Sequence, residues 1–224
     1  MKKILYSVAL AACCMGTMTS CSDFLDASNK SNVTAKQSFA TKEGLNNLVN
    51  NAYQHLQNVY AAPLFTSCFS AGTDMYADAR NKMNEALNTY ETLTPENTDI
   101  KNLYTYLYAG IRAANSVSYY AQTAQVDDKT KGQLVGEARV LAAYEYYLLV
   151  NNFGGVPIMK DFLTTADTGY PKSSAADVYA YIISELEDVI SKNVLQASTA
   201  TKGGGRISQE TAKAILAKTY LSAA

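Results

Sequence analysis

One stretch limits the possible folds more than any other, residues Gly132 to Pro157, which read GQLVGEARVLAAYEYYLLVNNFGGVP. Leu134, Ala138, Leu141, Leu148 and Leu149 recur there at helical spacing, and Val140, Ala143, Tyr144 and Tyr147 add a second apolar face beside them. A helix wetted on one side carries a single apolar stripe, so two stripes predict a central helix with neighbours on both flanks. Gly154 and Gly155 can take the backbone conformation that ends a helix, and Pro157 cannot continue one. Glu137, Arg139 and Glu145 are the only charged residues of the helix after Lys131. Buried charge is costly unless paired, so these three are expected at helix edges, solvated or paired.

A central helix needs partners, and the sequence supplies them. Leu45, Leu48, Val49, Ala52, Tyr53, Leu56 and Val59 form one face of a helix from about Thr41 to Tyr60, with Thr41 placed to cap it. His55, the only histidine of the chain, falls on the opposite face and reads as a surface residue, which argues against histidine-dependent catalysis and most zinc sites. Thr94-Pro95-Glu96 is a helix-start signal, and Ile100, Leu103, Tyr104, Leu107, Ile111, Ala114 and Val117 form the buried stripe of a helix running to about Gln125. Ser174 and Asp177 make a capping box ahead of Val178, Ile182, Ile183, Leu186, Val189 and Ile190, a helix reaching about Asn193. A last helix follows Ser208, with Ala212, Ile215, Leu216, Thr219 and Leu221 as its apolar face and Ala212, Ala214 and Ala217 where a neighbour must come close. Gly203, Gly204 and Gly205 lack the lysine and spacing of a phosphate loop and read as a flexible turn. The fold class is all-α, a tetratricopeptide-like helical repeat scaffold with irregular connecting loops. The chain stops at Ala224 without a C-cap, with the helical face still in phase, which suggests that the sequence is truncated.

Composition narrows the partners. Lys plus Arg number 19 against 20 for Asp plus Glu, so there is no basic excess to hold a nucleic acid backbone. Seventeen tyrosines without a tryptophan place many amphipathic rings at helix interfaces, where the hydroxyl can reach water or backbone. The first twenty residues read as a signal peptide, with Lys2 and Lys3 ahead of an apolar run from Ile4 to about Met18 that is too short to span a bilayer well. Met18-Thr19-Ser20-Cys21 resembles a bacterial lipobox, which would leave Cys21 as the lipidated first residue; an ordinary signal peptide with an incidental cysteine is the alternative. Residues 21–40, rich in Ser, Asn, Lys and Thr from Ala27, read as a lipidated flexible tether, and residues 41–224 as the helical domain. Cys68 would then be a lone thiol between Phe65 and Phe69, more a small packed group than a reactive one.

The run GEARVLAAYEYYLLVNNFGGVPI, Gly136 to Ile158, resembles the signature helix of the SusD/RagB family of outer-membrane nutrient-binding lipoproteins, and NLYTYLYAGIRAANSV resembles its second framework helix. Val140 stands where the family usually has an aromatic residue and Ala142 where it usually has an arginine. The resemblance implies a cell-surface lipoprotein in the outer membrane that binds a glycan or related nutrient and passes it to a TonB-dependent, SusC-like transporter. It implies no enzymatic activity and no cofactor.

Between Ala61 and Thr94 the periodicity weakens. Asp74, Tyr76, Asp78, Arg80 and Asn84 lie close together there, a mix of ring and planar polar groups that suits sugar binding, although the same segment also reads as an ordinary loop with a short surface helix. Two other readings stay open. A lipid-anchored helical-repeat adaptor would bind a protein partner along an apolar groove on the last hairpin. A carboxylate-dependent hydrolase would use the scattered Asp and Glu residues.

Overall fold

Asp127 starts the central helix. Its Oδ1 accepts a hydrogen bond from the Thr130 amide at 2.9 Å, and the helix then runs unbroken from Asp128 to Phe153, four residues earlier than the apolar pattern alone indicates. It ends at Gly154, whose φ of 69° costs a glycine little, while Gly155 lies so close to the Ser173 carbonyl that no side chain would fit. The computed structural model describes residues 34–61, 63–76, 85–165, 169–199 and 205–224, and every described helix from Lys42 onward belongs to one compact unit, Lys36–Ala224.

In chain order the helices are α1 (Ala35–Ser38, one turn), α2 (Lys42–Tyr60), α3 (Leu64–Phe69), α4 (Glu85–Thr89), α5 (Thr98–Ala121), α6 (Asp128–Phe153), α7 (Ala175–Lys192) and α8 (Gln209–Ala223). No strand occurs among the described residues, so the fold is all-α. The central helix α6 packs against α2, α5, α7 and α8, as its two apolar faces require. Leu141, Leu149, Tyr146 and Val140 of α6 are at most 1% exposed, as are Leu45 and Val49 of α2, Leu107 and Ile111 of α5, and Ile182 and Leu186 of α7. Each such aliphatic side chain contributes about 1.5–3 kcal/mol by leaving water, which makes this layer the main source of stability. α7 and α8 pack as a hairpin.

The caps follow local chemistry. Thr41 caps α2 through Gly44 N, and Ser174 and Asp177 form the capping box of α7, which ends on Asn193 in the left-handed conformation. The start of α5 differs from the Thr94 signal. The Asn97 amide donates to the Thr94 carbonyl, so the TPEN segment closes a turn, and Asn97 Oδ1 then accepts from Asp99 N at 3.0 Å and Ile100 N at 3.1 Å. A cap that satisfies two orphan amides outcompetes one that satisfies none. The other end of α5 also falls short of Gln125, because Ala124 turns inward and Gln125 N donates to the Ala40 carbonyl at 2.8 Å.

The charges of the central helix depart most from expectation. Glu137 is fully buried rather than at an edge, and it is paired: Arg206 Nε approaches its Oε2 at 2.7 Å, Tyr53 donates to the same oxygen, and Gln133 donates to Oε1. Arg206 also donates to Asn46 and Asn50, so one buried carboxylate ties α2, α6 and the approach to α8 together. Arg139 pairs with Glu185 at 2.7 Å and Asp188 at 2.5 Å, fixing α7 on α6. Glu145 fits neither half of the expectation. It is fully buried, neither carboxylate oxygen has a hydrogen-bond partner, and burial pushes its pKa well above the ordinary 4.5. The carboxyl occupies the space that a side chain at Gly110 of α5 would need, so the glycine admits it.

Two surface expectations are also corrected. Leu221 is 83% exposed and Ala214 and Ala217 are exposed, because α8 turns a narrower face, centred on Ala212 and Thr219, towards α7 and α6. His55 is half-buried rather than on a wet face: its Nδ1 is sequestered without a partner, and burial lowers its pKa below the ordinary 6.5.

Candidate functional site

The segment after Gly155 has no regular structure, and side chains of the helices beneath hold it in place. Tyr108 of α5 donates to the Pro157 carbonyl at 2.7 Å. Tyr146 of α6 accepts from the Met159 amide at 2.7 Å, and Asn115 of α5 donates to the Met159 carbonyl at 2.8 Å. The connection therefore lies along α5, and its Phe162 reaches Tyr119 and Tyr120 with ring centroids 5.3 and 5.8 Å apart. Phe39, just ahead of α2, also packs on Tyr120, with ring centroids 4.8 Å apart.

Arg112 stands between two clefts formed in this way, its guanidinium 5.5 Å from the Phe162 ring centre. On one side a cleft of about 270 Å³ is lined by Arg112, Asn115, Asp161, Thr164 and Thr165. On the other a cleft of about 290 Å³ is lined by Arg112, Asn51, His55 and the rings of Phe39, Tyr120 and Phe162. Spacing on α5 explains the arrangement, since positions 109, 112, 116 and 119 lie on one face of a helix. Donors, acceptors and rings thus converge on one surface, the combination that orients a polar ring with apolar faces.

Sequence reasoning did not find this surface. Arg112 and Asn115 belong to a segment read as framework, and their partners lie 44 to 53 residues away in a connection without periodicity. The available signal was two polar residues three apart, Arg112 and Asn115, within the stretch from Ala109 to Val117 that is otherwise small or apolar. Of the residues singled out for sugar binding, Asp78, Arg80 and Asn84 lie outside the described residues, as does Cys21. Asp74 is exposed and Tyr76 half-buried in the turn after α3, where Gly72 N donates to Asn88 at 3.4 Å. That turn packs towards α4 and the first turns of α5, on the order of 18 Å along the α5 axis from Arg112.

A third groove, of about 360 Å³, runs between α2, α6 and α8 and is mainly apolar, with Leu56, Leu141, Tyr144, Ala214 and Ile215 along it. At its edge Lys218 sits 5.5 Å from the Tyr147 ring centre, and Tyr60 hydrogen-bonds Tyr144 while stacking near Phe65 and Phe69. Among the described residues no cluster of His, Cys, Asp and Glu is arranged to hold a metal ion, and no helix is long and apolar enough to cross a membrane. Burial among apolar neighbours pushes the Cys68 thiol up to about 11.

Comparison with known proteins places this architecture. The chain is 27% identical over 190 residues to a SusD-like protein of Formosa agariphila, covering 83% of this chain and 36% of that one. A SusD-like protein of Bacteroides ovatus is 27% identical over 134 residues, 58% of this chain and 24% of that one. The chain thus spans about a third or less of the length of these curated relatives. Among solved structures, surface glycan-binding protein A from Bacteroides uniformis is similar with a TM-score of 0.67 and 25% identity, over 79% of this chain and 41% of that chain. A laminarin-binding SusD-like protein shares the fold with a TM-score of 0.69 and 23% identity, over 80% of this chain and 40% of that one. The family model described as starch-binding and associating with the outer membrane matches residues 23–221, nearly the whole chain, and the protein belongs to that SusD-like family.

Proposed function

We propose that this chain is the helical portion of a cell-surface lipoprotein that captures glycans and delivers them to a TonB-dependent outer-membrane transporter. The observation that carries the reading is the Arg112 surface, where planar hydrogen-bonding groups and aromatic rings converge on a rigid helix. Family membership and the similarity to a surface glycan-binding protein support it. Stacking on Phe39, Tyr119 or Phe162 would take up the apolar face of a sugar, while Arg112, Asn115, Asp161 and the two threonines fix its hydroxyls. Affinity then comes from several weak contacts, and binding rather than catalysis is the activity. Asp74 and Tyr76, in the turn after α3, would extend the binding surface, and Asp78, Arg80 and Asn84 are kept as further candidates for holding sugar hydroxyls. Lipidation at Cys21 would hold the protein on the membrane facing the exterior, since several acyl chains on one residue give stable anchoring.

Titration of full-length, detergent-solubilised protein with a panel of glucan oligosaccharides tests the reading, alongside Arg112→Met and Tyr76→Ala. Binding weakened by Arg112→Met without loss of helicity is the expected result. No binding to any glycan, together with no β-barrel transporter co-purifying from the native membrane, would overturn it. The apolar groove between α2, α6 and α8 favours a second reading, an adaptor for a protein partner. Recovery of the protein with soluble partners in place of a transporter would bring that reading forward.

A further inference from the structure

We infer that the aromatic side of the Arg112 ridge is a subsite for an acidic sugar, a uronate whose carboxylate meets the Arg112 guanidinium while its ring lies among Phe39, Tyr120 and Phe162. The inference rests on the glycan reading above and specifies its ligand class.

Three observations carry it. First, the described arginines divide into two kinds. Arg139 is neutralised by Glu185 and Asp188, and Arg206 by the buried Glu137, so both are structural. Arg112 makes no ion pair among the described residues, and its guanidinium rests on the Phe162 ring instead. A guanidinium held against an aromatic face keeps its in-plane N–H groups free for a carboxylate, which it binds through two parallel hydrogen bonds.

Second, the two clefts beside Arg112 differ in charge. The first contains Asp161, whose carboxylate would repel an acidic ligand and suits a neutral sugar's hydroxyls. Among the described residues the second contains no carboxylate: its polar lining is Arg112, His55, Asn51, the Tyr120 hydroxyl and the Ser116 hydroxyl, whose proton goes to the Ala113 carbonyl. An anion entering there meets a cation and the neutral Asn51 amide, with no like charge among the described lining residues. Third, the three rings border this second cleft with centroids 4.8 to 5.8 Å apart, giving apolar faces next to the cation. A free inorganic anion would use the cation alone; a sugar acid would use both. A chain alternating neutral and acidic residues, or a uronate homopolymer entering by one residue, would fit with Arg112 shared between the two clefts.

The test compares a trigalacturonate with the same oligomer methyl-esterified at every carboxyl, by calorimetric titration of the full-length protein in detergent. The acid should bind about tenfold more tightly than the ester, the value of one charge-assisted pair, and the ratio should fall as salt is raised. Arg112→Met should bring that ratio to about one, and Arg112→Lys, which keeps the charge and loses the fork, should leave an intermediate ratio. Circular dichroism of both variants checks that the helices persist. Equal binding of acid and ester, with both weakened by Arg112→Met, would overturn acid selection while leaving the glycan site standing. Tight binding of neutral glucans with none of either galacturonate would also overturn it, and failure of every glycan would remove the reading on which it rests.

Discussion

Glu145→Gln is the substitution whose consequence can be worked most directly. In the folded protein the carboxyl is fully buried, unpartnered, and seated over Gly110 with no charge beside it to stabilise ionisation. Desolvation is the sole cause of its raised pKa, so the fold binds the neutral acid. The unfolded chain ionises near 4.5. A group whose pKa is raised by folding stabilises the native state fully only below its unfolded pKa, and that contribution is lost as pH rises towards the folded value. Stability attributable to Glu145 should therefore fall by about 1.4 kcal/mol per pH unit once pH exceeds about 5. Glutamine keeps the shape and removes the titration. Urea unfolding of the two proteins at pH 5.0, 5.5 and 6.0 isolates the effect, because His55 and every other titrating group is common to both and cancels in the difference. The glutamine variant should gain on the parent by about 1.4 kcal/mol between pH 5 and pH 6, on the order of 3–6 °C in Tm. Glu145→Met should gain a further ~1–3 kcal/mol at either pH, by removing two buried oxygens that nothing satisfies. A stability difference that stays constant with pH would refute the argument, since it would mean that the carboxyl is already ionised, or already solvated, in the folded state.

Other consequences follow from the same contacts. Arg206→Ala leaves Glu137 as an uncompensated buried charge and should cost about 3–5 kcal/mol in urea titration, whereas Arg206→Ala combined with Glu137→Gln should recover much of that loss. Cys68, with its thiol pushed up to about 11, should resist a thiol reagent at pH 8 in the native protein and react fully in urea; fast native labelling would show that it is not packed. Cys21→Ala should move the protein from the membrane fraction to the soluble one, and unchanged retention would remove the lipid anchor at that residue.

Sequence alone determined the number and order of the long helices, because apolar spacing and capping chemistry are local. Ser174 with Asp177, Thr41 with Gly44, and Gly154 before Pro157 are decided within one turn of chain. The double stripe on Gly132 to Pro157 likewise fixed that helix as central, since no helix exposed to water can keep two apolar faces. Where two local signals competed, as Thr94 and Asn97 did, the count of satisfied amides settled the boundary, and that count needs the folded turn.

Tertiary structure decided which charges are buried and which surfaces converge. Glu137, Arg139 and Glu145 look alike in the sequence, but their fates depend on Arg206, on Glu185 and Asp188, and on a glycine, at positions 35 to 69 residues away. The cleft beside Arg112 was illegible for the same reason: one wall is a helix read as framework and the other an aperiodic segment held by tyrosine hydroxyls and one asparagine amide. Periodicity reports which face of an element avoids water, a property of neighbouring residues. A binding surface is made by side chains that are distant in the chain, and only the packing of α5 under the residues that follow Gly155 brings them together.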